Sequence, residues 1–387
     1  MDYDIAIIGA GISGAGVAQA AAAAGYKVLL LEQTAIACAT SRSSSKLIHG
    51  GLRYLESAQF SLVRESLTER ALLLKLAPEL VKLANLHIPV YRNSQRAPLT
   101  IAAGLSLYRL LSGFDSSTRF SRLKPDQWPE LDSINTEHLK AVFRYQEAQT
   151  DDRALTAAVV QSAQQLGAEL ALPATFCGAE TTPEFCDLRY RHNGREQQAR
   201  AAMLVNCAGP WAPQVNQLIS PTPALPEIEL IQGAHLLLPP QLKHHYYLES
   251  PSDGRAVFAL PWQGKLLLGT TETPHTGEPA NAHCHPHEMH YLLNVLKHYF
   301  PDLHILPSSA ESFAGLRVLP RSSEQAFGRS RESIMELGSH NRVFTLMGGK
   351  LTTYRATAEQ TLEQLAPQLP QRTRRADTRT LALTPVS

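Results

Sequence analysis

Gly9-Ala10-Gly11-Ile12-Ser13-Gly14 is the first stretch of the chain whose residue types and spacing point to chemistry. Gly9 permits a tight turn, Gly11 lets the backbone approach a pyrophosphate, and Gly14 lets a following helix lie against the strand before it. A helix that starts there offers N–H donors and a partial positive charge to the anion. Glu32 can accept hydrogen bonds from a ribose hydroxyl. Thr40-Ser41-Arg42-Ser43-Ser44-Ser45-Lys46 then supplies hydroxyls and backbone amides. His49-Gly50-Gly51-Leu52-Arg53-Tyr54 sets two adjacent glycines beside ionisable groups, where a flat ring can come close. The glycine pattern alone does not separate a nicotinamide from a flavin nucleotide. A glycine pair so soon after the ribose acid favours the flavin.

These residues need particular elements to hold them. Residues 4–8 form a β-branched run that reads as a buried parallel strand. Residues 15–24 are helix-forming and end at Gly25, where a glycine cap belongs. Residues 27–31 read as a second strand, ending in Glu32. Together they make a βαβ unit, the signature of a doubly wound fold. Helices are expected at 60–76, 151–166, 287–299 and 352–365, and strands at 83–90, 227–238, 256–260, 266–270 and 343–347. Nucleotide-binding elements recur near Asn206 and Gly349. The expected fold is α/β: a discontinuous Rossmann-like nucleotide-binding domain with an inserted, largely antiparallel α+β domain. The segments 1–82, 145–225 and 311–366 are assigned to the first domain, and 83–144 and 226–310 to the second. Residues 367–387 lack a period and are expected to be a flexible tail.

Composition narrows the classes. A chain of 387 residues holds roughly two to three domains at about 150 residues each. Apolar residues make up 44% and charged residues 18%, which excludes a disordered or fibrous chain. The net charge of +1 gives no field for nucleic acid, so any anion site is local. Five irregularly spaced cysteines argue against a disulfide framework and for a reducing compartment, the cytoplasm. The acidic start Met1-Asp2-Tyr3-Asp4 does not resemble a secretory leader. No run reaches the ~18 apolar residues of a membrane span. Residues 96–114 read as a basic amphipathic helix, which lies either on a bilayer surface or on its own domain. Arg372, Arg374 and Arg375 either face anionic lipid or are a solvated end. His283-Cys284-His285-Pro286-His287-Glu288-Met289-His290 invites a zinc reading, but no second ligand cluster exists and no metal is expected.

The segment from Ala37 through Cys38, Thr40, Ser45, Lys46, Leu47, His49, Gly50, Gly51, Arg53 and Tyr54 to Glu56 closely resembles the FAD-dependent, quinone-linked glycerol-3-phosphate dehydrogenases. The resemblance returns at Asn206-Cys207-Ala208-Gly209-Pro210-Trp211, Gly269-Thr270-Thr271, Gly315-Leu316-Arg317 and Gly348-Gly349-Lys350-Leu351-Thr352-Thr353-Tyr354-Arg355, and covers nearly the whole chain in order. It implies a Rossmann-like FAD-binding domain with an inserted substrate domain in a D-amino-acid-oxidase-like arrangement, in which residues 41–47 wrap the FAD pyrophosphate and ring edge. It implies that Gly349, Lys350, Leu351 and Thr352 close on the pyrimidine side. It places Arg53, Tyr54, His235, Arg317 and Lys350 around the substrate, with three cations for a phosphate dianion. His235 is then the expected base with Arg317 polarising the oxygen, and His49 the alternative base. By residue type alone, Arg53 and Arg317 read as interface ion-pair residues, His235 as a core histidine and Tyr54 as packing.

Three departures accompany the resemblance. The resemblance is to a shortened member, expected to lack the further helical domain that follows the family's counterpart of the Lys350 motif. Glu272 follows the paired threonines where aspartate is common, and Val318-Leu319-Pro320 follows Arg317 where proline usually comes sooner. Three readings stay open. The first is oxidation of glycerol 3-phosphate with quinone or another acceptor, with peripheral contact to the inner face of the cytoplasmic membrane. The second is oxidation of another anionic hydroxy or amino acid. The third is a non-catalytic flavin-binding regulator.

Overall fold

The continuous run Tyr3–Ile8 forms the expected buried strand at the centre of a parallel array. A computed structural model describes residues 1–239, 242–321 and 333–386. Its helices are α1 (Ile12–Ala23), α2 (Phe60–Leu76), α3 (Pro98–Leu111), α4 (Asp152–Gln165), α5 (Ala212–Gln217), α6 (Pro286–Tyr299) and α7 (Tyr354–Leu365). Among the described residues the first sheet has nine strands. Val343–Gly348, Arg195–Asn206, Tyr3–Ile8, Val28–Leu31 and Glu169–Ala171 lie side by side in parallel. The alanine-rich α1 packs between α4 and α7. Its Ala15, Ala18, Ala21 and Ala22 meet Ala158, Val159, Ala358 and Leu362 in one core. Small side chains on α1 are what let three helices share that face.

The second sheet has ten strands among the described residues and is mostly antiparallel. It reaches beyond the segments expected for it. Glu311–Pro320, assigned by sequence to the nucleotide-binding domain, instead pairs along its whole length with Ile228–Leu238, from Ile228 opposite Pro320 to Leu237 opposite Glu311. Leu139–Thr150 crosses the expected boundary at 145, and Leu47–Ile48 also joins this sheet. Long ladders override the boundaries because every pair satisfies backbone groups that burial would leave unbonded. Residues 322–332, inside the expected segment 311–366, lie outside the described residues.

The segment expected to be a flexible tail is anchored at several points up to Leu383. Arg372 donates twice to Asp4, at 3.0 and 2.7 Å, and the Arg375 amide donates to the Ala23 carbonyl at 2.7 Å. Leu383 is 3% exposed and joins the α1 core. Main-chain bonds and single anchors hold this segment, so no apolar period was there to read. Ser387 lies outside the described residues. The amphipathic expectation for 96–114 resolves as α3, which buries Leu105 and Tyr108 and exposes Leu99 and Leu110, with Phe114 exposed just beyond its end. No helix among the described residues is long and apolar enough to cross a membrane.

Burial holds several histidines neutral. It pushes His87 and His245 down to about 4 and His235 to about 3. The unfolded chain takes up these protons near pH 6.5 and the folded chain does not, so stability falls as pH drops from 6.5 toward 4. Each group contributes at most about 1.4 kcal/mol per pH unit in that window. Urea midpoints measured at pH 7, 5.5 and 4.5 should fall steadily, and His87→Phe should flatten the slope. A midpoint independent of pH over this range would contradict the buried-neutral assignment.

Candidate active site

The glycine turn lies where two strands and a helix converge. A Cβ at Gly14 would stand 1.9 Å from the Gly9 carbonyl oxygen, and one at Gly9 (φ +97°) 2.8 Å from the Cys207 carbonyl oxygen. Both positions need glycine for close approach. Gly11 caps α1 in an extended conformation, and the Ile12 amide donates to Ser41 Oγ at 2.9 Å. Ser41 and the start of α1 therefore meet at the anion-binding end of the helix. Glu32 ends Val28–Leu31 beside this turn, accepting from the Ala10 amide at 2.9 Å and the Thr34 amide at 2.8 Å. Ala208 and Gly209 follow the neighbouring strand; the Cys207 amide donates to the Ile8 carbonyl.

The segment 40–47 runs from this turn to the second sheet. Thr40 Oγ1 donates to the Leu316 carbonyl at 3.0 Å, tying the segment to the strand that carries Arg317. The Ser44 amide and hydroxyl both donate to Asp152 Oδ2, and Lys46 Nζ lies 2.7 Å from Asp152 Oδ1. The Lys46 ammonium also donates to the Arg42 carbonyl at 2.6 Å. Its charge braces the loop, so any contact with cofactor from Lys46 comes through its backbone. Asp152 stands at the start of the helix expected at 151–166, and its anchoring role is not visible in the local pattern. Leu47 then enters the second sheet opposite Gln149.

Two groups of candidate substrate residues follow. The first gathers on Tyr54: Lys350 Nζ lies 4.0 Å from the ring centroid and the Arg53 guanidinium carbon 5.5 Å from it. Gly51 (φ +76°) starts the short helical turn that carries Arg53 and Tyr54. The His49 amide donates to Thr352 Oγ1 at 3.2 Å, and that hydroxyl lies 3.4 Å from the His49 carbonyl. These contacts join the 49–54 turn to Lys350-Leu351-Thr352. Gly349 has φ +85°, and a Cβ there would meet Ser333 Oγ at 2.6 Å.

The second group is built on the long ladder. Ile231 is opposite Arg317, and His235 is opposite Phe313 and Gly269. Arg317 Nη1 lies 2.7 Å from Glu272 Oε1, and Nη2 donates to the Thr271 carbonyl at 3.0 Å. A Cβ on Gly233 would stand 2.5 Å from Arg317 Nη2, so this glycine makes room for the guanidinium. His235 is 3% exposed and stacks on Phe313 at 4.9 Å, and its Nε2 lies 2.9 Å from Ser45 Oγ. Burial first, then the Lys46 and Arg317 charges, pushes its imidazole down to about 3. Ser45, Lys46 and Arg317 thus all act on His235.

Beneath Gly50 lies a network that sequence reasoning did not find. Glu147 accepts from Arg70 at 2.5 Å, Tyr108 at 2.6 Å and the Gly50 amide at 3.4 Å. A Cβ on Gly50 would meet Tyr108 Oη at 2.3 Å. The histidine-rich segment turns out to be the start of α6. His283, His285 and His287 rings pack on one another at 4.5 and 5.5 Å. Among the described residues no group of three or more His, Cys, Asp or Glu side chains is arranged to hold a metal.

The residues fit FAD on the structure's own terms. A helix start joined by Ser41, an acid ending the second strand, and glycine approaches too tight for a Cβ provide a dinucleotide cradle. With the two-sheet architecture, this defines a flavin-dependent oxidoreductase of the D-amino-acid-oxidase-like fold. The chain belongs to the FAD dependent oxidoreductase (DAO) family, whose profile matches residues 4–355, and FAD is its cofactor. It is similar to the glycerol-3-phosphate dehydrogenase of Pseudomonas aeruginosa, 36% identical over 377 residues, covering 94% of this chain and 72% of that protein. The D-erythritol 1-phosphate dehydrogenase of Brucella abortus is 33% identical over 377 residues, covering 95% and 74%. Among solved structures, the glycerol-3-phosphate dehydrogenase from Bacillus halodurans complexed with FAD superposes with a TM-score of 0.77 at 25% identity, covering 99% of this chain and 68% of that one.

Proposed function

We propose that the chain oxidises the secondary alcohol of sn-glycerol 3-phosphate to dihydroxyacetone phosphate. The observation that carries this reading is the gathering of Lys350 and Arg53 on Tyr54, in a turn tied to the cofactor cradle. Two cations beside one aromatic ring suit a phosphate dianion in a chain with almost no net charge. The names of the similar dehydrogenases support the same class of substrate.

Bound FAD supplies a two-electron acceptor for hydride. Gly9, Gly11, Gly14, Glu32, Ser41, Ala208 and Gly209 would hold its nucleotide end. Thr40, Ser45, Leu47, Gly50, Gly51, Gly349, Leu351 and Thr352 would line the ring. Arg53 and Lys350, both beside the Tyr54 ring, hold the phosphate. Arg317, its fork set by Glu272 and Thr271, polarises the alcohol oxygen. His235 accepts the hydroxyl proton at Nε2, the atom beside Ser45 Oγ. Burial, with the Lys46 and Arg317 charges, lowers its basicity. The same depression favours His49 as the second candidate base.

Electrons pass onward to a quinone in this reading. The exposed Leu99, Leu110 and Phe114 beside Arg109 support docking of α3 on the inner face of the cytoplasmic membrane. The five free cysteines agree with a reducing compartment. Anaerobic titration of the yellow holoenzyme tests the substrate. Glycerol 3-phosphate should bleach the flavin band; glycerol and lactate should not. His235→Gln should lose at least 10²-fold in the reduction rate if it is the base, within the usual range for proton transfer. The loss falling on His49→Gln instead would move that role. Reoxidation by a quinone analogue, rather than by air, identifies the acceptor.

A further inference from the structure

We propose that Glu288, in the middle of the histidine-rich segment, is a positioning residue that sets the Arg317 guanidinium and the strand carrying His235 for the oxidation proposed above. The inference rests on that reading of Arg317. Glu288 is 1% exposed and sits in the first turn of α6. Its Oε2 accepts from the His285 amide at 2.9 Å and from Gln232 Nε2 at 2.7 Å. Its Oε1 accepts from Thr271 Oγ1 at 2.6 Å and Thr273 Oγ1 at 2.9 Å. Those four bonds fill the acceptor sites of a carboxylate.

The two threonines flank Glu272, the carboxylate that pairs with Arg317. Thr271 is the central link. Its hydroxyl donates to Glu288 and accepts from the Ala234 amide at 2.8 Å, while its carbonyl accepts from Arg317 Nη2. A single residue thus separates Glu288 from the guanidinium. Gln232 and Ala234 belong to the strand that carries His235, and the carboxylate grips both sides of the crossing.

A buried negative charge is costly without a partner. Among the described residues no cationic side chain pairs with Glu288. Four hydrogen-bond donors replace a counterion, and all four belong to the 271–273 loop, the His235 strand and the helix start. A carboxylate can collect these donors because it is acceptor-only; an amide turns a donor toward two of them. Burial opposes ionisation, but the hydrogen bonds from His285, Thr271, Thr273 and Gln232 outweigh it and hold the carboxyl below its usual value.

The test uses FAD-loaded protein and single-turnover reduction by glycerol 3-phosphate. Glu288→Gln should lower the limiting reduction rate at least 10-fold. Substrate dissociation constant, FAD content and flavin spectrum should stay within 3-fold or unchanged. A double-mutant cycle then asks through what it acts. In an Arg317→Lys background, Glu288→Gln should cost less than 2-fold further, because the fork it positions is gone. An equal loss in both backgrounds, or a full rate in Glu288→Gln, overturns the proposal. If Glu288→Gln does not accumulate as holoenzyme, Thr273→Val removes one of the four donors and enters the same cycle, with at least a 3-fold loss expected. Wild-type flavin that does not bleach at all would instead defeat the oxidation reading itself, and this inference with it.

Discussion

Arg317→Met should slow reduction of the flavin by glycerol 3-phosphate by roughly 10²–10³-fold, the range for loss of one preorganised donor to a developing oxyanion. FAD content should not change. Arg317 is already held by Glu272 at 2.7 Å and the Thr271 carbonyl at 3.0 Å. No reorganisation is then needed when the alcohol oxygen gains charge. Neither bond involves the glycine turn or the 40–47 loop, and the Thr40 contact to this strand uses the Leu316 carbonyl. Cofactor binding should therefore survive. Arg317→Lys keeps the charge but loses the planar fork, and should fall between wild type and Arg317→Met. Stopped-flow reduction under anaerobic conditions measures all three. A full rate in Arg317→Met would remove this residue from the chemistry and leave it as the interface ion pair its residue type first suggested.

The sequence made some of this geometry readable and hid the rest, for physical reasons. The strand at 3–8, the alanine-rich α1 and the strand ending at Glu32 declare themselves because each has a strong local pattern. Helix 60–76 was expected with the bounds it has. The strand Glu311–Pro320 did not declare itself. It lacks a clean alternation, contains Gly315, and is stabilised by a ladder to a strand some eighty residues earlier. Asp152 illustrates the same limit. An acid at a helix start has a sufficient local explanation, and only the fold brings Ser44 and Lys46 to it. The tail at 367–386 has no apolar period because its anchors are Arg372 on Asp4 and the lone Leu383. His283 to His290 drew attention for the imidazoles, whereas the buried, fully bonded member is Glu288. Residue type reveals candidates; which partners satisfy them is a tertiary fact.

The largest stability effect is expected at Arg70. This guanidinium is 1% exposed and bonds Glu147 at 2.5 Å, the Gln146 carbonyl at 3.0 Å and Ser117 Oγ at 2.9 Å. Arg70→Met leaves the Glu147 carboxylate buried without its cation, which costs about 3–5 kcal/mol. The double variant Arg70→Met, Glu147→Leu removes both charges and should recover more than half of that loss. The single variant should also depend on pH in a definite sense. Burial already raises Glu147 above the usual carboxylate value, and loss of Arg70 raises it further. The folded variant then holds a proton that the unfolded chain has released, so its stability is fully present below the unfolded pKa and is lost as pH rises through the folded one. Its deficit relative to wild type should be larger at pH 8 than at pH 5. Function should follow, because Glu147 accepts from the Gly50 amide and Tyr108 lies directly under Gly50. A shift there moves the turn that carries Arg53 and Tyr54, so Arg70→Met should also weaken substrate binding, while the double variant keeps the turn packed. Urea unfolding of the FAD-loaded proteins at both pH values, with substrate saturation alongside, checks each step. Equal deficits at pH 5 and pH 8 would show that the Arg70 side chain acts through packing and not through the charge of Glu147.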